Sequence, residues 1–157
     1  SQNKEIKADE TGYYFIRHAE KNRSNPKDKN PELNRAGKLR ALNWTYFFRE
    51  IPLEEIYSTN YIRTISTAQP VADDKNLPII IYSPSELNIK TFIKENQGKL
   101  VLIVGHSNTT AVLAGLLIGE EFGEFDLDIY DRIYQVVLRK KRGRLHVLHT
   151  AFSCKTE

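Results

Sequence analysis

The chain has 157 residues, 40% of them hydrophobic and 27% charged, which bounds it to one ordinary globular domain that buries roughly 70% of its unfolded surface. A single cysteine, Cys154, excludes a disulfide framework and a cysteine-rich zinc site. Its 23 basic and 20 acidic residues leave a net charge of +3 spread along the chain, so no nucleic-acid partner is expected. No run approaches the roughly 18 apolar residues that span a bilayer.

Residues 1–10 form a polar lead and residues 11–157 a single domain. The sequence opens at Ser1 rather than Met. A cleaved export or lipoprotein signal would leave such a stub, so an extracytoplasmic location is the expectation, with a cytoplasmic one as the alternative.

Strand and helix signals alternate from there on, the pattern of a three-layer α/β/α sandwich around a mostly parallel sheet. Tyr13 to Ile16 is a short apolar run suited to a buried strand. It ends in the polar string Arg17-His18-Ala19-Glu20-Lys21, and the carboxyl end of a strand is where open α/β sheets hold their ligands. Asn22 to Pro31 lacks either period and reads as a surface loop. Asn34 caps a helix whose Leu39, Leu42, Tyr46 and Phe47 recur at helical spacing until Ile51 and Pro52 stop it, and Tyr46 to Phe48 are expected in the core.

Ile56 and Tyr57 mark a short strand, after which Ser58, Thr59 or Asn60 caps a helix from about Tyr61 to Asp74. Pro78 to Tyr82 reads as a strand, Ser85 to Lys94 as a short helix, and Leu100 to Val104 as the clearest buried strand. Asn108 or Thr109 then starts a helix that closes near Gly119. Ile133 to Leu138 and Leu145 to Thr150 alternate as an edge hairpin, with the basic run Arg139 to Arg144 as its solvated loop.

Two strands end in histidine-bearing clusters, Arg17-His18 and Gly105-His106-Ser107-Asn108. A third cluster places Arg63 in the opening turn of a helix, where unpaired N–H groups and the helix dipole favour an anion. Singly, each of these residues is more often structural than catalytic. Together they suit a phosphomonoester, because two guanidiniums offer forked donors to its oxygens. The same cations depress the pKa of His18 and keep its imidazole neutral, with its second ring nitrogen held by a backbone carbonyl. Arg17 and Arg63 would repel a metal cation, so no metal and no other cofactor is expected.

These residues, in this order, resemble the histidine phosphatase superfamily, also called phosphoglycerate-mutase-like. The likeness runs from Tyr13 to Leu138. It rests on Phe15-Ile16-Arg17-His18-Ala19-Glu20-Lys21, where many members have Gly at the place of Ala19; on Leu33-Asn34-Arg35-Ala36-Gly37; on Tyr57-Ser58-Thr59-Asn60-Tyr61-Ile62-Arg63-Thr64 with Thr67-Ala68; and on Val104-Gly105-His106-Ser107-Asn108-Thr109.

The resemblance implies a phosphoglycerate-mutase-like fold of the compact phosphatase branch, with His18 as nucleophile and His106 against the phosphoryl group. It implies a phosphohistidine intermediate that water hydrolyses. Arg17, Arg63, His106 and Asn108 would bind the phosphate. Glu86 is the first candidate for the acid that protonates the leaving oxygen and Glu20 the second. The expected substrate is a small phosphorylated metabolite or a phosphopeptide. A mutase and a catalytically weak phospho-ligand binding module are the alternatives.

Overall fold

A computed structural model describes residues 9–121, 128–140 and 142–150. Ten elements follow in chain order: β1 Glu10–Arg17, α1 Arg35–Phe47, β2 Glu55–Ser58, α2 Ile62–Lys75, β3 Ile79–Ile81, α3 Ile89–Glu95, β4 Leu100–Gly105, α4 Thr110–Ile118, β5 Arg132–Arg139 and β6 Arg142–His149. The six strands form one sheet in the order β3-β2-β4-β1-β5-β6. β1, β2, β3 and β4 pair in parallel, whereas β5 and β6 run antiparallel as a hairpin at one edge. This is the expected α/β/α sandwich.

Alternation along the strands builds a core on each face of the sheet. Tyr14, Ile16, Leu102 and Val104 point to one side, where they meet Trp44 of α1, Phe48 just after it, and Ala68, Val71 and Ala72 of α2. Tyr13, Phe15, Val101 and Ile103 point to the other, against Phe92 of α3 and Leu113 and Leu117 of α4. β1 and β4 are buried along their full length, so both faces need apolar side chains and the strands read as continuous hydrophobic runs. β6 is largely exposed and carries Arg142 and Arg144 at the sheet edge, where charge discourages further strand pairing.

Several sequence expectations are corrected. β1 starts at Glu10, inside the stretch read as a polar lead, because Glu10 and Thr11 pair with Arg139 and Leu138 of β5. α1 ends at Phe47, and its stripe of Leu39, Leu42 and Tyr46 faces solvent. The buried face is instead Gly37, Arg40, Ala41 and Trp44. Of the aromatic group, Phe48 is fully buried, Phe47 only partly, and Tyr46 is 63% exposed. α2 starts at Ile62 without a side-chain cap from its own chain neighbourhood; Asn30, from the loop before α1, accepts the Ile62 N–H at 2.9 Å. The third helix spans only Ile89–Glu95, capped by Asn88. Most of the basic run lies in the strand ends of the hairpin, with Arg139 and Arg142 paired across the ladder. Cys154 lies outside the described residues.

The loop read between residues 22 and 31 is organised by side chains, since Asn22, Asn25 and Asp28 each accept a backbone N–H two residues on. Asn34 caps α1 as expected, accepting from the Gly37 N–H at 2.9 Å. Gly37 also lets α1 approach the chain after β1: a Cβ there would lie 2.1 Å from the Glu20 carbonyl oxygen. Gly37→Ala, normally a gain of about 1 kcal/mol in a helix, is expected here to destabilise by roughly 1–3 kcal/mol through overpacking. A thermal melt checks it, and an unchanged or higher Tm would contradict this close approach.

Candidate active site

β4 lies between β1 and β2, with Arg17 in register with Gly105 and Ser58 with Val104. The segments following all three strands therefore leave the sheet side by side. The His18 N–H bonds the Gly105 carbonyl at 2.8 Å, carrying the ladder one residue past β1. The His18 and His106 rings consequently face each other, 5.5 Å between centroids.

His18 is 4% exposed. Its Nδ1 lies 2.7 Å from the Ala19 carbonyl, which can only accept, so Nδ1 carries the proton and Nε2 keeps its lone pair. Ala19 is itself held, its N–H bonding Thr67 Oγ1 at 2.8 Å, while Thr67 donates to the Arg63 carbonyl at 2.7 Å. The nucleophile candidate and the second arginine are thus tied through one α2 hydroxyl. Burial is the main cause that pushes the His18 pKa down to about 3; the Ala19 carbonyl acts against it, and Arg17, Arg63 and His106 add to the lowering.

His106 is pushed down to about 4 by burial first, then by Arg63, Arg17 and Lys21. Its Nε2 lies 2.7 Å from Thr59 Oγ1. Thr59 donates to Thr64 Oγ1 at 2.9 Å, and Thr64 donates to the Thr59 carbonyl at 2.9 Å. This chain leaves Nε2 of His106 as the donor to Thr59. The residue read only as a helix cap is therefore what orients the second histidine.

Arg17 donates from Nη1 to the Ile129 carbonyl at 2.8 Å, and its Cζ sits 4.1 Å from the centre of the Tyr130 ring. Arg63 stacks its Cζ 4.6 Å from the Tyr61 ring. Its Nε and Nη1 are buried and have no hydrogen-bond partner among the described residues. Buried donors left unsatisfied are costly.

Arg17, His18, Arg63, His106 and Asn108 all line one hollow of about 780 Å³, together with Lys21, Thr59, Asn60, Tyr61, Tyr82, Ser83, Pro84, Ser85, Ser107 and Thr109. The two carboxyl candidates are not among these residues. Glu20 has both oxygens engaged by Arg40, at 2.9 and 3.1 Å. Glu86 is solvent-exposed, one residue beyond the lining stretch Ser83 to Ser85. Sequence reasoning missed Thr59 as a histidine partner and Tyr61, Tyr130 and Lys21 as neighbours of the site. Lys21 lay within the Arg-His string and Thr59 and Tyr61 within the Tyr57-to-Thr64 string, whereas Tyr130 carried no signal. Among the described residues no group of three or more His, Cys, Asp or Glu side chains comes together to hold a metal, and no helix is long and apolar enough to cross a membrane.

The family profile of the histidine phosphatase superfamily (branch 1) matches residues 13–83, the stretch that holds Arg17, His18 and Arg63. The chain is similar to that superfamily over this stretch. Among solved structures, it is similar to the protein histidine phosphatase SixA complexed with tungstate, with a TM-score of 0.71 and 16% identity over 88% of this chain and 96% of that one. The alpha-ribazole phosphatase from Shigella flexneri gives a TM-score of 0.69 and 16% identity over 88% and 96%. A mycobacterial glucosyl-3-phosphoglycerate phosphatase gives 0.68 and 12% over 90% and 100%. At these identities the likeness establishes the fold. No curated protein sequence matches the chain significantly.

Both histidines titrate lower in the folded chain than their ordinary value of about 6.5, so between those values the unfolded chain binds more protons. Their contribution to stability is present above pH 6.5 and is lost as the pH falls through about 4 and then about 3. Tm is expected to fall between pH 7 and pH 4, and to fall less steeply in the His18→Gln/His106→Gln variant. Proton NMR should place the C2–H titrations of both rings below pH 5; midpoints near 6.5 would contradict the buried, cation-flanked setting.

Proposed function

We propose that the chain is a metal-independent phosphatase that hydrolyses a phosphomonoester or a phosphoramidate through a phosphohistidine on His18. The observation that carries this reading is the Nδ1–Ala19 carbonyl bond, which leaves a neutral Nε2 beside two guanidiniums in a hollow open to solvent. Nε2 attacks phosphorus and the bond to the leaving oxygen or nitrogen breaks, its electron pair departing with the leaving group. Arg17 and Arg63 hold the phosphoryl oxygens as charge moves onto them, and His106, whose Nε2–H is given to Thr59, joins them when its Nδ1 takes up a proton. Water then attacks the phosphohistidine, releasing phosphate and restoring the neutral ring.

Metal independence is supported by the lining charges, because Arg17, Lys21 and Arg63 disfavour a bound cation. Proton supply to the leaving group bears on the substrate. Glu20 is committed to Arg40, so Glu86 is the carboxyl proposed to serve, reaching in from the rim. A leaving group that departs with little help, as from an aryl phosphate or a phosphoramidate, needs neither. Glu86→Gln is therefore expected to lower kcat about tenfold or more for an alkyl phosphate and to change aryl phosphate turnover less than twofold. Equal effects on both would remove Glu86 from this role.

The central test is turnover of an aryl phosphate with chelator present. The native chain should turn over, His18→Ala should lose roughly a thousandfold or more, and Arg63→Ala roughly a hundredfold in kcat/KM. A chain that binds phosphate yet is as inert as His18→Ala would be a phospho-ligand binding module instead. Transfer of the phosphoryl group to a second hydroxyl of the substrate, rather than to water, would mark a mutase.

A further inference from the structure

We infer that residues 21–33 form a strap that positions both arginines of the site, Asn30 setting Arg63 and Arg23 setting Arg17. This rests on the phosphatase reading and deepens it. Neither Asn30 nor Arg23 lines the hollow, so each is a positioning residue that acts through another group.

The start of α2 explains the need for Asn30. The first N–H groups of a helix have no partner within it, and α2 opens at Tyr61 with no side-chain cap bond of its own. The hydroxyls just before it are engaged elsewhere. Ser58 donates to the Thr59 carbonyl at 2.9 Å, and Thr59 Oγ1 is held between His106 Nε2 at 2.7 Å and Thr64 Oγ1 at 2.9 Å. Asn30 supplies the missing acceptor from a distant part of the chain, its Oδ1 taking the Ile62 N–H at 2.9 Å. Arg63 is the next residue, so this bond holds the backbone from which its guanidinium reaches the hollow.

Arg23 acts at the other arginine. Its Nη2 donates to the Tyr130 hydroxyl at 2.9 Å. The centre of the Tyr130 ring lies 4.1 Å from the Arg17 Cζ and 6.1 Å from the centre of the His18 ring. Tyr130 is buried, and a bond at its hydroxyl fixes the tilt of the ring against which Arg17 is stacked.

The strap is itself braced. Its ends are closed by the bridge between Lys21 and Leu33 and by the bond from the Asn22 N–H to the Glu32 carbonyl at 2.8 Å. Within it, the Asn22 and Asn25 side chains accept the Ser24 and Lys27 N–H groups at 2.9 and 3.0 Å. Asp28 Oδ1 accepts the Asn30 N–H at 2.9 Å, which orients the capping residue. A loop fastened in this way delivers one side chain to each flank of the hollow.

Phenyl phosphate hydrolysis tests both contacts through double-variant cycles. Asn30→Ala should lower kcat/KM about tenfold, and Asn30→Asp, which keeps an acceptor at the helix start, should recover most of it. Arg23→Leu should cost about fivefold. Tyr130→Phe should cost the same, with no further loss when the two are combined. The cycles then separate the two arginines. Asn30→Ala should cost about twofold or less in an Arg63→Ala background and keep its full effect in Arg17→Ala, with the reverse for Arg23→Leu. A general loss of structure would persist in both backgrounds, and that result overturns the inference, as does native kcat/KM in Asn30→Ala. If the native chain does not hydrolyse phenyl phosphate, the phosphatase reading fails by itself, and calorimetric titration of the same variants with inorganic phosphate decides the strap inference. The same pattern in Kd supports it; a Kd that Asn30→Ala and Arg23→Leu leave unchanged, or no phosphate binding by the native chain, overturns it.

Discussion

The parallel pairing of β1 with β4, extended by the bond from the His18 N–H to the Gly105 carbonyl, is the constraint on which the rest of the site depends. It ends two strands at one level and turns both chains out of the sheet together, so residues nearly ninety positions apart present their rings to each other. β2 lies on the far side of β4 and ends at the same level, which delivers Thr59 and the first turn of α2 to the same opening. Backbone geometry thus assembles the group, and side-chain bonds only refine it.

The refinement is electrostatic. Arg17, Lys21 and Arg63 share one hollow, an arrangement that repels itself in the absence of an anion. Each arginine is stacked on a ring, Tyr130 for Arg17, which also donates to the Ile129 carbonyl, and Tyr61 for Arg63. Glu20, the carboxylate that could have quenched the field, is drawn toward α1 by Arg40, itself a buried residue of that helix. The same α1 face carries Gly37 against the Glu20 backbone. Helix packing and charge separation therefore meet on one face of α1, which packs against the chain after β1 and binds the Glu20 carboxylate through Arg40.

Much of this was legible before any coordinates. Continuous apolar runs mark β1 and β4 because strands covered on both faces tolerate nothing else. Asn34 and Gly119 mark helix ends because a cap side chain and a left-handed residue are local requirements. The Arg-His and Gly-His strings announce their chemistry because anion-binding groups cluster at strand ends. The face of α1 was not legible: Leu39, Leu42 and Tyr46 have the right spacing for a core stripe, yet Gly37 and Trp44 define the buried side. Spacing reports that a helix has two faces, and only a neighbour decides which one it covers.

What the sequence determined by itself was the set of elements and five of the residues that line the hollow, Arg17, His18, Arg63, His106 and Asn108, since these follow from local pattern and chemical type. What tertiary structure alone decided was which side chains meet. Thr59 against His106, Thr67 beneath Ala19, Tyr130 over Arg17, and the removal of Glu20 by Arg40 all join segments distant in the chain. A hydrogen bond or ring contact depends on position in space to within a few tenths of an ångström, and no local pattern of residue types carries that information.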